Sequence, residues 1–200
     1  MRNIPKALIL LRLILGMAIL AISLFHFNCS KSVPITLFTV GLLSDVFDGI
    51  IARRLNVSSE LLRRCDSTVD LIFWVLVATS VFISYPDFFY AHWTMLLVLV
   101  GLEAVTYIIS FARFKKESAT HAITSKIWAL VLFATLINIM SNGRSSVLFD
   151  ICFYVGIITR LEVILILLVL KTWANDIPSL YHAIRLRQGK SIKRHKLFNG

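Results

Sequence analysis

Long apolar runs joined by short polar connections constrain this 200-residue chain more than any other feature. Six runs stand out, at about 7–27, 34–52, 66–84, 92–111, 124–140 and 147–170. Each is close to the ~20 apolar residues that an α-helix needs to cross a bilayer. Backbone groups in hydrocarbon must satisfy one another, so such segments are read as helices. They use most of the chain and leave no room for a separate soluble domain. The predicted fold class is an all-α membrane protein with six transmembrane helices. Composition agrees: 16% of residues are charged, against roughly 25% in a soluble domain. That excludes a disordered chain, a collagen, a coiled coil and a soluble nucleic-acid binder. The first run carries Arg12 and lacks a small-residue cleavage site, so it is read as a retained span, not a signal peptide. Cys29, Cys65 and Cys152 have no paired spacing, which gives neither a disulfide framework nor a zinc site.

The net charge of +10 is distributed as a membrane protein distributes it. Arg2, Lys6, Arg53, Arg54, Arg63, Arg64, Arg113, Lys115, Lys116, Lys126, Lys171, Arg185, Arg187, Lys190, Lys193, Arg194 and Lys196 fall on one side of the spans. Lys31 and Arg144 fall on the other, and Arg12 and Arg160 lie inside spans. Positive connections stay in the cytoplasm, so both termini are expected there, in a bacterial inner membrane. The aromatic connection at 85–93 lacks Lys and Arg and is expected as a loop at the outer interface. Residues 1–172 are predicted to form the six-span catalytic domain, and 173–200 a cytoplasmic amphipathic helix and basic tail. In that helix Pro178, Leu180, Tyr181, Ile184 and Leu186 are expected on one apolar face, and His182, Arg185 and Arg187 on the polar one. The last dozen residues are expected to be drawn to anionic lipid.

Carboxylates inside spans are costly and need partners or a function. Asp45 and Asp48, three apart, share a face at the end of the second span; Asp66 and Asp70, four apart, share one at the start of the third. The short connection makes these spans antiparallel neighbours, so the four acids are expected at one depth near the cytoplasmic end. Four carboxylates at one point need counter-charge. Two divalent cations supply it in an all-oxygen site of the kind Mg²⁺ or Mn²⁺ prefers, and two such ions clamp phosphoryl chemistry. A salt-bridge cluster with Arg53, Arg63 and Arg64, or a proton or cation path, answers the same need.

The stretch Asp45-x2-Asp48-Gly49-x2-Ala52-Arg53-x12-Asp66-x3-Asp70 resembles the motif of the CDP-alcohol phosphatidyltransferases, with seven fixed positions in one window. Asn3-Ile4-Pro5-Lys6-Ala7-Leu8-x3-Arg12 is similar to a weaker feature of that family. One position departs: the family usually has Gly four residues before the third Asp, where this chain has Leu62. The resemblance implies transfer of a phosphatidyl group from a CDP-linked lipid to an alcohol, with release of CMP. It implies Asp45, Asp48, Asp66 and Asp70 as ligands of two Mg²⁺ or Mn²⁺ ions, and Asp70 as the base toward the acceptor hydroxyl. Gly49 and Ala52, being small, would let the nucleotide approach the helix, and Arg53 would pair with phosphate. A homodimer is implied as well.

For the acceptor the candidates are Arg113 and Lys126, flanking a basic connection, and Arg160 inside the sixth span. Each has a plain alternative: interfacial anchors for the first two, an ion pair with Glu103 or another buried acid for Arg160. Glycerol 3-phosphate suits the short chain and small connections. The connection at 113–126 lacks the Gly-Lys-x-Lys-Thr pattern of the glycerol phosphate enzymes, so inositol phosphate, serine or another polar alcohol stand beside it. Outside this chemistry, a divalent cation transporter and a catalytically silent lipid-binding protein use the same acids. Transporter sites lie at mid-depth, whereas these acids cluster at one end. The charge asymmetry carries its own test: green fluorescent protein fused after Gly200 should fluoresce in a bacterial host, and alkaline phosphatase fused there should stay inactive. The reverse pattern would invert the topology.

Overall fold

The computed structural model describes residues 4–27, 29–54, 60–116, 122–145, 147–174 and 177–190, with residues 4–5, 48–54 and 60–64 described by backbone alone. The expected basic tail at 191–200 lies outside the described residues. Eight helices follow in order: α1 Ile4–Leu24, α2 Ser32–Arg54, α3 Glu60–Ser84, α4 Pro86–Ala91, α5 Trp93–Phe114, α6 Ile123–Asn142, α7 Val147–Val169 and α8 Leu180–Arg187. No strand occurs among the described residues. Helices α1, α3, α5, α6 and α7 are long and apolar enough to cross a membrane, and the apolar part of α2, Ser32–Phe47, is shorter.

Burial is inverted relative to a soluble protein. Leu10, Ile14, Met17, Val75, Val100 and Ile158 are exposed, while Arg12, Ser44, Ser80, Thr106, Ser110, Thr135 and Thr159 are buried. Lipid tails solvate the outward side chains, and the polar groups turn inward, where other polar groups meet them. This is an integral membrane protein.

The chain divides into two compact units, residues 1–89 with 136–144, and 90–135 with 145–200. In the first, α1 packs on both α2 and α3. The fit depends on one aromatic ring. Phe73 of α3, 1% exposed, fills the space that a Cβ would need at Gly41 of α2, and its Cδ2 lies 3.0 Å from the Cβ position of Gly16 in α1. Phe38 packs at 6.0 Å from Phe73 and edge-on at 5.5 Å from Trp74. Farther along, Ser23 hydrogen-bonds Ser80 (2.6 Å) and Ser84 (3.0 Å), and Ser80 donates to the Ile19 carbonyl (3.2 Å). These bonds tie α1 to α3 by polar contact where no hydrophobic driving force acts between helices. At the end of α6, Gly143 takes φ +74°. There Tyr85 Oη donates to the Met140 carbonyl (2.7 Å) and Lys31 Nζ to that of Ser141 (3.0 Å), which satisfies two carbonyls of the last turn.

The aromatic segment expected as a loop is helical at Pro86–Ala91. Pro86 fits a first helical position and Asp87 a first turn, where the helix dipole favours an acid. Phe89 stacks edge-on against Phe82 and Phe88, and Phe88 is buried.

In the second unit α7 packs on α5 and α8. Val163, Ile166, Leu167 and Leu170 form a buried cluster with Ala122, Ile177 and Ala183, flanked by Leu180 and Leu186. The C-terminal helix therefore exists, but its face differs from the sequence expectation. Ala183, Leu180 and Leu186 turn to α7, whereas Tyr181 and Ile184 are exposed. The interlock at Phe73 leaves no room for a side chain at position 41. Gly41→Leu should cost about 1–3 kcal/mol through overpacking, read as a lower unfolding midpoint in detergent; an unchanged midpoint would show that the ring has somewhere else to go.

Candidate active site

Three helices bring charge to one point in the first unit. Arg12 of α1 extends its guanidinium between α2 and α3. Nη1 lies 3.1 Å from Asp45 Oδ1 and 3.3 Å from Asp66 Oδ1, and it also pairs with Asp70 Oδ1. The acids converge as their spacing predicts: Asp45, Asp66 and Asp70 each offer a carboxylate oxygen, all within 4.8 Å of one another. Arg12 is 1% exposed, while the three carboxyl groups are 30–37% exposed. The guanidinium is thus the enclosed side of the cluster, and the carboxylates keep an open side.

Helix geometry explains the register. Arg12 stands four residues before Gly16, Asp45 four after Gly41, and Asp70 three before Phe73. Arg12, Asp45 and Asp70 are therefore about one turn, ~5.4 Å, from the Phe73 interlock, and Asp66 about one turn farther, on the side of the α2–α3 connection. Ser44, beside Asp45, is buried and donates to the Gly41 carbonyl (2.7 Å). Of the other predicted residues, Asp48, Gly49, Ala52 and Arg53 lie on the last turns of α2, with side chains outside the described residues. The same is true of Leu62, Arg63 and Arg64 on α3. Among the described residues the counter-cation on the acids is Arg12, which the sequence reading placed within the first span and in the N-terminal family-like feature without pairing it to them.

Among the described residues, three carboxylates face one guanidinium, an excess of negative charge. A hard, all-oxygen donor set of this kind fits a Mg²⁺- or Mn²⁺-like ion.

The three acceptor candidates belong to the second unit. Arg113 donates to the carbonyls of Leu168 (2.6 Å) and Leu170 (3.1 Å), where α7 ends and its carbonyls lack helical partners. Arg160 pairs with Glu103 (2.6 Å), its guanidinium carbon 4.9 Å from the centre of the Trp128 ring. Trp128 in turn donates to the Cys152 carbonyl (3.1 Å), and its indole crowds the space beside Gly156. Cys152, Gly156 and Arg160 follow one another at four-residue steps, so one face of α7 receives the ring and the ion pair. Lys126 is exposed on α6.

Glu162 is a further acid on α7. Its Oε2 accepts from Thr124 Oγ1 (2.5 Å) and its Oε1 from the Leu180 backbone N–H (3.2 Å). The N-cap residue of α8, Ser179, makes no side-chain cap bond and instead hydrogen-bonds His182 Nδ1 (2.9 Å). A carboxylate eighteen residues away thus supplies the acceptor that a helix start requires. A second tie, Ile123 N–H to the Pro178 carbonyl (3.0 Å), lies beside it.

A helical membrane protein with an acidic cluster shared by antiparallel helices is the class these observations define. Residues 2–173 match the family model described as CDP-alcohol phosphatidyltransferase. The chain belongs to that family, whose chemistry is transfer of a substituted phosphate group from a CDP-alcohol donor to an alcohol acceptor. No curated protein and no solved structure matches the chain.

The role of Glu162 is testable apart from catalysis. Glu162→Ala removes a charge-assisted hydrogen bond of about 1.5–3 kcal/mol and should release α8 from α7. Trypsin cleavage after Arg185 and Arg187 should then quicken at least about tenfold. Unchanged protection would show that Ile177 and Ala183 hold α8 without the carboxylate.

Proposed function

We propose that this protein transfers the phosphatidyl group of CDP-diacylglycerol to glycerol 3-phosphate and releases CMP. The observation that carries the reading is the convergence of Asp45, Asp66 and Asp70, from two adjacent helices, inside the region that matches the family. The reaction forms a bond from the acceptor hydroxyl oxygen to the lipid's phosphorus and breaks the bond from that phosphorus to the bridging oxygen, which leaves on CMP. The hydroxyl proton passes to Asp70. Asp45, Asp48, Asp66 and Asp70 would hold the divalent ions. When bound, such ions neutralise the diphosphate and stabilise charge on the leaving oxygen.

The protein's own work is positioning. α2 and α3 hold the acids at one end of the spans, at the depth where a bilayer presents a lipid diphosphate. Gly49 and Ala52 keep the α2 surface low for the nucleotide, and Arg53 meets its phosphate. Glycerol 3-phosphate is favoured by the small connections. Arg113 serves the carbonyls of Leu168 and Leu170 and Arg160 pairs with Glu103; with Lys126 they are the acceptor candidates. The excess of Lys and Arg on one side supports a cytoplasmic site, and family resemblance supports a homodimer.

The Arg12 ion pairs favour a second reading, in which the cluster is a salt-bridge keystone of a non-catalytic member. One assay separates the two. Purified protein with CDP-diacylglycerol, Mg²⁺ and glycerol 3-phosphate should release CMP. A chelator should abolish release, and Asp70→Asn should lower it by about 10²–10⁴-fold, the usual range for a lost general base. Release with inositol phosphate or serine but not glycerol 3-phosphate would reassign the acceptor. No CMP with any alcohol, in protein that unfolds cooperatively, would establish the keystone.

A further inference from the structure

Arg12 and a divalent ion need the same oxygens. Nη1 engages Oδ1 of Asp45, Asp66 and Asp70 together. An ion coordinated by the triad would stand about 2.0–2.1 Å from each oxygen it binds. It would either coincide with Nη1 or face an unscreened like charge across the carboxylates. The carboxylates' open side admits an ion, whereas the guanidinium reaches them from the closed side. We infer that Arg12 is a built-in place-holder: it occupies the carboxylates while no ion is bound, keeps them converged, and gives up its contacts when the ion enters. This inference rests on the metal-dependent reading above. It adds that affinity for the ion is set by a competing side chain from α1.

The acids need the place-holder because bare carboxylates at this separation would repel one another apart. A guanidinium keeps its charge when buried, and here one nitrogen, Nη1, meets all three carboxylates.

The test uses the full-length chain in lipid nanodiscs, with Mn²⁺ as the probe and bound ion read by electron paramagnetic resonance. Arg12→Met should bind Mn²⁺ about tenfold or more tightly than wild type, and Arg12→Lys should stay close to wild type. Without ion, Arg12→Met should melt earlier than wild type, and Mn²⁺ should restore it. Wild-type binding above the background of Asp66→Asn, with equal or weaker binding in Arg12→Met, would overturn the place-holder role while leaving the metal reading intact. Absence of Mn²⁺ binding above that background in both wild type and Arg12→Met would overturn the metal reading and the place-holder with it. If Arg12→Met does not fold, the wild-type chain still decides. Its arginine side-chain ¹⁵N resonance, assigned by its absence in Arg12→Lys, should shift on Mg²⁺ addition, and a resonance unmoved at saturating Mg²⁺ would end the proposal.

Discussion

The contact between Arg12 and the carboxylates of Asp45, Asp66 and Asp70 is the constraint on which the first unit depends. A charge placed in a membrane span is expensive. This chain places four described ones at one point, with Asp48 close by in sequence. None of the three helices is favourable alone at that depth; together they share Arg12 as a common counter-charge. The cluster therefore joins α1 to α2 and α3 by ion pairing beside the apolar packing. It also explains why Arg12 is enclosed while its partners are half open: the cation serves the scaffold, and the anions face what enters.

The second unit spends its intramembrane charges differently. Arg160 closes on Glu103 and lies over Trp128, Arg113 finishes the end of α7, and Glu162 starts α8. In each case a charged group meets either an opposite charge or backbone groups that a helix terminus leaves without partners. Glu103 and Glu162 are each met singly in this way, whereas Asp45, Asp66 and Asp70 of the first unit converge on one guanidinium.

Much of this was legible in the sequence. The apolar runs gave the helices within a few residues, and the spacing of Asp45, Asp66 and Asp70 gave their convergence, because helical periodicity leaves few other faces for them. Arg12 was missed although its signal was present, as a lone cation in one span beside two spans carrying acids. Arg53, Arg63 and Arg64 drew attention because they are near the acids along the chain; their side chains lie outside the described residues. The α4 helix was hidden by its aromatic composition, although Pro86-Asp87 is a start signal. The face of α8 was misjudged because Ala183 adds little to an apolar pattern, yet a small residue is what allows close approach to α7.

Phe73 has a consequence beyond register. Past the acids, the first unit offers an aromatic ring seated between two glycines, then Ile19, Phe38 and Val77, all wholly buried. These side chains form an apolar layer, beyond which α1 and α3 meet through the hydroxyls of Ser23 and Ser80. The ring is thus a dry floor beneath the acids: water or a polar group that reaches the carboxylates from their open side meets an aromatic face backed by Ile19, Phe38 and Val77.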